Sequence, residues 1–338
     1  MESREFGKYT LLEHVGKGGV GSVYRARNER DGATVAVKIF EPAGGRSADL
    51  TRRLRDREVR MLVSVQHPNI VKFHETGEVG EEYYYAMEFV ENSLLKCLRG
   101  GREFRLAEKV RILRQSTSAL AAIHHQGIVH RDVKPGNMLL DNGRGGAVHV
   151  KLTDLGIARR VRETEIAGGG GDGPVPGTPK YLSPEQIMRV RADGRADIFS
   201  LGVVAYELLT GELPFQAETP EEYAEANVEQ TQAPAGELAE DLPGFLSDMV
   251  DRMLAKDREE RYDSDTLEQD LRLAEQHLVS GAPLGENQNP VSIFYGGSPD
   301  EQPAESRPWP GGIHPVSWAA ALLAVAAAAA AAWAAWPP

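Results

Sequence analysis

The eight residues His130-Arg-Asp-Val-Lys-Pro-Gly-Asn137 carry the densest chemistry in the 338-residue chain. Asp132, Lys134 and Asn137 stand together just before an apolar run, Met138-Leu-Leu140. A carboxylate can accept a hydroxyl proton, a lysine can neutralise a transferring anion, and an amide oxygen can ligate a hard cation. Asp154, in Leu152-Thr-Asp-Leu-Gly156, adds a second acid after another apolar run. Oxygen donors of this kind suit Mg2+ and phosphate better than zinc. Taken one at a time, each residue also reads as an ordinary solvated turn residue.

A second group of residues could receive phosphate. Val15-Gly-Lys-Gly-Gly-Val-Gly-Ser-Val23 sets Gly16, Gly18, Gly19 and Gly21 between two predicted strands. Without Cβ atoms, backbone amides can approach phosphate oxygens closely. A dinucleotide loop would open a helix, whereas Ser22-Val23-Tyr24 continues as a strand, so a glycine-rich hairpin is the competing reading. Val35-Ala-Val-Lys38 follows an Asp31-Gly32 turn and ends in a lysine. A strand-edge lysine becomes informative when an anion holds it, and Glu58 is the candidate, twenty residues on.

These residues need elements to position them. Val15, Val20, Val23, Val35, Val37 and Ile39 give short β-branched runs, so strands dominate early. Residues 51–65 and 104–126 read as helices, and segments 198–209, 246–254 and 267–278 make the later chain mainly helical. The expected fold is α+β, with a strand-rich small lobe over about 9–90 and a helical large lobe over about 91–280. Residues 1–8 read as an N-terminal extension.

Composition narrows the function. Apolar residues make up 41% and charged residues 26%, ordinary values for a folded domain. The net charge of −12 argues against a nucleic-acid partner, which would need a basic face. A single cysteine, Cys97, excludes an internal disulfide framework and any multi-cysteine zinc site. The polar start of the chain carries no secretory signal pattern. Residues 281–315 are rich in Pro, Gly and polar residues and read as a linker. Residues 316–336 carry no charge, although 13 of those 21 are alanine. As a helix they would span about 31 Å, matching a bilayer core of about 30 Å, with Trp318 near one end and Trp333 and Trp336 near the other. The expectation is a membrane anchor with a cytoplasmic catalytic domain and no domain beyond it. An alanine-rich tail in water is the competing reading.

In this order, the glycine loop, Val35-Ala-Val-Lys38, Glu58, His130 to Asn137, Asp154-Leu-Gly156 and Ser183-Pro-Glu185 resemble the signature set of eukaryotic-like Ser/Thr protein kinases of bacterial type. The resemblance covers about residues 9–278 and implies a bilobal kinase fold using ATP and Mg2+, with Mn2+ as a substitute. It implies that Gly16, Gly18 and Gly21, with Val15 and Gly19 alongside, cover the ATP phosphates. Lys38, held by Glu58, would contact them. Asp132 would orient the substrate hydroxyl and accept its proton, and Lys134 would neutralise the transferring group. Asn137 and Asp154 would hold the metal. Val23, Ala36 and Leu139 would enclose adenine, with Met87-Glu88-Phe-Val90 as gatekeeper and hinge. Asp197 would tie down the catalytic-loop backbone, Glu185 and Arg261 would pair, and Thr178 would bond Asp132 and Lys134. The substrate implied is a protein hydroxyl of Ser or Thr.

Four places depart from the pattern. Asp154 is followed by Leu rather than Phe, the hinge segment Glu91-Asn-Ser-Leu94 looks one residue short, and Asn142 to Ala147 lengthens a turn. In the segment from Asp154 to Glu185, residues 165–177 contain no Ser, Thr or Tyr, which leaves Thr164 and Thr178 as the residues available for phosphorylation. Asp172 is therefore expected to supply the anion that Arg131 meets, against an alternative in which substrate alone orders the glycine-rich loop. A catalytically silent pseudokinase or nucleotide-binding scaffold is the rival function, although Lys38, Asp132 and Asp154 are all present. Dimerisation in the membrane is left open.

Overall fold

Alternation along one strand separates the first lobe into two packing faces. The computed structural model describes residues 3–18, 21–40, 65–142, 147–154, 179–239 and 241–281. Strands β1 (Arg4–Phe6), β2 (Tyr9–Gly18), β3 (Gly21–Asn28), β4 (Thr34–Phe40), β5 (Phe73–Val79) and β6 (Glu82–Glu88) form an antiparallel sheet in the order β1-β2-β3-β4-β6-β5. Successive side chains of a strand point to opposite faces. In β4, Val35, Val37 and Ile39 pack with Phe6, Tyr9, Leu11, Tyr84 and Ala86 in a small core of their own. Ala36 and Phe40 face the other way and join the main core with Met87 and Leu152, which places Lys38 on that inner face. The expected extension 1–8 supplies an edge strand, because Phe6 is buried and meets Tyr84 edge-on at 5.5 Å. The helix expected over 51–65 lies, but for Val65, outside the described residues.

The second lobe opens with a small sheet, β7 (Asn92–Ser93), β8 (Met138–Asn142) and β9 (Val148–Leu152), ordered β7-β8-β9. Its helices are α1 (Leu94–Arg99), α2 (Leu106–His124), α3 (Pro184–Ile187), α4 (Gly194–Thr210), α5 (Pro220–Glu229), α6 (Ala235–Leu238), α7 (Gly244–Met253) and α8 (Ser264–Ser280). The α+β, two-lobed architecture agrees with the expectation, as do the helices placed at 104–126, 198–209, 246–254 and 267–278. Helix α4 is buried along most of its length and forms the axis of this lobe. Asp193 caps its start, and Gly211, at φ 85°, ends it in the left-handed conformation that glycine adopts without a Cβ clash.

Side-chain amides, half-buried Asn69 and buried Gln115, stitch the segment after residue 65 to the second lobe. Asn69 Nδ2 donates to Gln115 Oε1 (2.9 Å) and to the Val150 carbonyl (3.0 Å). The Val150 N–H in turn donates to Gln115 Oε1 at 2.8 Å. The Val71 N–H donates to the Leu152 carbonyl at 3.0 Å, and the Leu152 N–H to the Asn69 carbonyl at 2.8 Å. The end of β9, where Asp154 follows, is thereby fixed to both lobes.

Among the described residues, no helix is long and apolar enough to cross a membrane. The linker from residue 282 onward and the 316–336 segment lie outside them.

One buried acid sets a testable pH dependence. Asp270 on α8 is 2% exposed, and its Oδ2 has no hydrogen-bond partner among the described residues. Burial pushes its carboxyl up to about 6, and the neighbouring Tyr262 and Arg252 offset only part of that shift. A raised folded-state value means that the folded chain binds more protons than the unfolded one between about pH 4 and 6, so this group's contribution falls as pH rises through that window. Asp270→Asn is therefore expected to be more stable than wild type at pH 7.5, by up to about 3 kcal/mol, with the gap closing near pH 4. Thermal unfolding at the two pH values measures this, and an equal gap at both would exclude it.

Candidate active site

The 130–137 segment joins the end of α2 to β8, and its geometry is dictated from beneath. His130 is fully buried. The Asp132 N–H donates to its Nδ1 (3.3 Å), so Nε2 carries the hydrogen that reaches the Thr153 carbonyl (3.1 Å). Arg131 has φ 66°, a left-handed backbone that non-glycine residues adopt only under constraint. The constraint is visible. Asp197, on α4 and fully buried, accepts the Arg131 N–H at Oδ1 and the His130 N–H at Oδ2, both at 2.7 Å. The side-chain amide of Gln186, on α3, donates to the Arg131 carbonyl at 3.0 Å. Asp197 Oδ2 also meets His124 Nε2 at 2.8 Å, and His124 Nδ1 lies 3.1 Å from Ser264 Oγ. Burial alone would raise the Asp197 carboxyl, but the hydrogen bond to His124 and the surrounding donors outweigh it and hold the group below the ordinary range.

Above this base the three polar residues of the loop meet. Lys134 Nζ donates to Asp132 Oδ2 at 2.7 Å. Asn137 Nδ2 donates to the same oxygen (2.9 Å) and to the Asp132 carbonyl (2.8 Å). The Thr153 N–H donates to the Asn137 carbonyl at 3.0 Å, which brings Asp154 alongside. Asp154 has φ 54°, a second left-handed non-glycine residue at the site. Lys38 Nζ reaches its Oδ1 at 2.9 Å from the other lobe. The Lys38 charge holds the Asp154 carboxyl below the ordinary carboxylate range against the opposing effect of burial.

The residues expected to enclose a nucleotide lie close to one another. In register, Val23 pairs with Lys38 and Ala36 with Met87. Val23 and Leu139 pack against the cluster that contains Ala36 and Met87. Val15, on β2, is 51% exposed. The Glu88 carboxylate pairs with Lys151 at 2.9 Å and its N–H donates to the Lys72 carbonyl at 2.8 Å, fixing the start of the connection that carries Val90. A Cβ at Gly16 would meet nothing within 4 Å, and Gly18 pairs with Gly21 to close the hairpin. Gly21 has a different reason to be glycine: a Cβ there would lie 2.1 Å from the Ile39 carbonyl oxygen, so β3 could not pack on β4.

The oxygen donors fit a hard cation. With its Nδ2 committed to Asp132, Asn137 has Oδ1 left to offer, and Asp154 offers its carboxylate. A Mg2+ held by one or two protein oxygens takes its remaining ligands from phosphate and water.

Beyond the cleft, Glu185 and Arg261 form the expected buried pair, at 2.7 and 3.0 Å. Gly19, Glu58, Thr164, Asp172 and Thr178 lie outside the described residues. Lys38 pairs with Asp154 at 2.9 Å, and its expected pairing with Glu58 falls outside the described residues. Two residues that sequence reasoning did not single out prove central to positioning: His124 beneath Asp197 and Gln186 beneath Arg131. Nothing in their local sequence distinguishes them from a helix-end histidine and a capping-box glutamine.

The protein kinase domain family model matches residues 9–271. The chain is similar to serine/threonine-protein kinase pkn2 of Myxococcus xanthus, at 34% identity over 257 residues, covering 75% of this chain and 31% of that protein. It is similar to serine/threonine-protein kinase PrkC of Bacillus subtilis, at 34% over 270 residues, covering 79% and 40%. It is also similar to a probable serine/threonine-protein kinase, SCO3848, of Streptomyces coelicolor, at 35% over 315 residues, covering 88% and 44%. The chain thus spans well under half the length of these curated relatives.

Proposed function

Because the chain belongs to the protein kinase domain family, we propose that it transfers the γ-phosphoryl group of ATP to serine or threonine hydroxyls of proteins. The observation that carries this reading is the convergence on one cleft of Asp132, bonded by Lys134 and Asn137, with Asp154, held by Lys38 from the opposite lobe. Asp132 orients the acceptor hydroxyl and takes its proton as the oxygen attacks the γ-phosphorus. The bond from that phosphorus to the β–γ bridging oxygen breaks, and ADP departs. Lys134 offsets the charge of the moving phosphoryl group, and Lys38 holds the phosphates in line. Asn137 and Asp154 are the residues that would hold Mg2+, which neutralises phosphate charge when bound. A lysine two residues after the acid supports Ser/Thr rather than Tyr as acceptor.

The tail extends the proposal. Residues 316–336, uncharged and with tryptophans near both ends, support a membrane anchor that keeps the catalytic domain on the cytoplasmic face.

One experiment addresses both parts. The full chain is floated with phospholipid vesicles, and the floated fraction receives γ-labelled ATP, Mg2+ and a basic acceptor protein. Label is expected in the floated fraction as phosphoserine and phosphothreonine. A chain ending at residue 315 is expected to stay at the bottom of the gradient and keep its activity. Nucleotide binding without transfer would replace the enzyme reading with a scaffold, and flotation of the shortened chain would remove the anchor.

A further inference from the structure

Residues 179–182 lead into α3, and α3 holds the Arg131 carbonyl through Gln186, one residue from Asp132. On the phosphotransfer reading, a peptide that presents its hydroxyl to Asp132 passes close to this segment, because α3 is bonded to the residue next to Asp132. The sequence just upstream places five glycines among residues 168–173. Among the described residues two helices hold residues 179–182: Glu207 on α4 accepts the Tyr181 hydroxyl at 2.8 Å, and α5 grips the backbone. Asn227 is fully buried, and its Nδ2 faces the carbonyls of Leu182 (2.8 Å), Pro179 (2.9 Å) and Lys180 (3.4 Å). Tyr223, one turn earlier on α5, presents its ring to Lys180 Nζ at 4.8 Å. The helix end is itself fixed, because Lys256 Nζ donates to the Asn227 carbonyl at 2.8 Å while lying 3.9 Å from the centre of the Phe215 ring.

The Asn227 amide is used from one side alone. Two N–H hydrogens face three carbonyl oxygens, while Oδ1 is buried with no hydrogen-bond partner among the described residues. An unsatisfied buried acceptor costs about 1–3 kcal/mol, so a residue chosen for packing would not carry one. The amide is kept for what its donors grip.

We infer that Asn227 is a positioning residue for the acceptor peptide, its amide fixing residues 179–182 as a preformed shelf for the chain that flanks the accepting hydroxyl. The inference rests on the phosphotransfer reading above. A shelf ordered before the peptide arrives spares the peptide the entropy of ordering it, so the loss of Asn227 falls on peptide affinity and not on the chemistry of the nucleotide.

The test uses the full chain with Asn227→Asp, which keeps the shape but turns the donors into a carboxylate facing three carbonyls, and with Asn227→Ser, which keeps one short donor. Tyr206→Phe, losing a buried bond to the Ala233 carbonyl (2.9 Å), is the structural control. Three quantities are read: KM for an acceptor peptide, KM for ATP, and ATP hydrolysis without peptide, in which water is the acceptor. Asn227→Asp is expected to raise the peptide KM about tenfold or more, the equivalent of one lost hydrogen bond, with Asn227→Ser between it and wild type. KM for ATP and hydrolysis without peptide are expected to stay within about twofold of wild type, and Tyr206→Phe is expected to move none of the three. If Asn227→Asp does not fold, Asn227→Ser carries the same comparison. A parallel fall in peptide transfer and ATP hydrolysis, or an unchanged peptide KM, would overturn the inference. Absence of peptide transfer by the wild-type chain, with ATP bound, would instead overturn the phosphotransfer reading on which it rests.

Discussion

Asp132→Asn is expected to lower phosphoryl transfer by about 10²–10⁴-fold while leaving nucleotide affinity near wild type. The geometry makes the substitution sharper than a simple loss of charge. Lys134 Nζ and Asn137 Nδ2 both donate to Asp132 Oδ2, at 2.7 and 2.9 Å. An asparagine at this position must turn its carbonyl oxygen toward those two donors, because its own NH2 would repel them. Its NH2 then points to where the acceptor hydroxyl must sit. The group that should take a proton becomes one that gives a hydrogen bond, so the hydroxyl is both misoriented and unable to shed its proton. Nucleotide affinity is spared because Lys38, Asn137 and Asp154 remain in place. Single-turnover transfer from a preformed Mg-ATP complex, beside a nucleotide titration, separates the two effects. A transfer rate within threefold of wild type would mean that Asp132 is not the proton acceptor.

Much of this site can be read in the sequence because its parts are contiguous. Asp132, Lys134 and Asn137 bond one another within a six-residue stretch, so their types and spacing already contain the geometry. The strands β2 to β4 and the long helices are legible for a similar local reason, since side-chain periodicity follows from backbone repeat. What escapes the sequence is partnership over distance. Lys38 and Asp154 meet across 116 positions, and the pairing depends on how two lobes close on each other. His124 looks like one of two adjacent histidines at a helix end; its role appears only when α4 brings Asp197 to it. Gly21 reads as part of a phosphate loop, and the structure adds a reason for its type that the sequence does not show, the close approach of β3 and β4. In each case the residue type is informative, and the reason for it lies in a neighbour that the sequence does not identify.

The largest effect on stability is expected from breaking the Glu185–Arg261 pair from one side. Both side chains are buried, 5% and 0% exposed. Arg261 uses its whole guanidinium: Nη1 and Nη2 donate to the two Glu185 oxygens, Nε to the Ala255 carbonyl (2.6 Å), Nη2 to the Lys256 carbonyl (3.0 Å) and Nη1 to the Arg195 carbonyl (3.3 Å). Five N–H hydrogens thus meet five acceptors. Arg261→Met leaves a buried carboxylate and three carbonyls without their donors, and is expected to cost about 3–5 kcal/mol. Glu185→Leu leaves the guanidinium with its three carbonyls, whose dipoles still solvate the charge, so its cost should be smaller than that of Arg261→Met. The double variant removes both charges together and should recover much of the loss, because well-packed apolar replacements of a buried pair are often neutral or better. Urea titration of the four proteins gives the cycle. Additive losses in the double variant, or a single-variant cost below 1 kcal/mol, would show that the pair is not coupled. Against a total stability of about 5–15 kcal/mol, the expected loss would unfold part of the population at 37 °C. Activity should fall with it in a particular order: α3 carries both Glu185 and Gln186, so loosening it releases the Arg131 carbonyl and the left-handed turn ahead of Asp132 before the lobe as a whole unfolds.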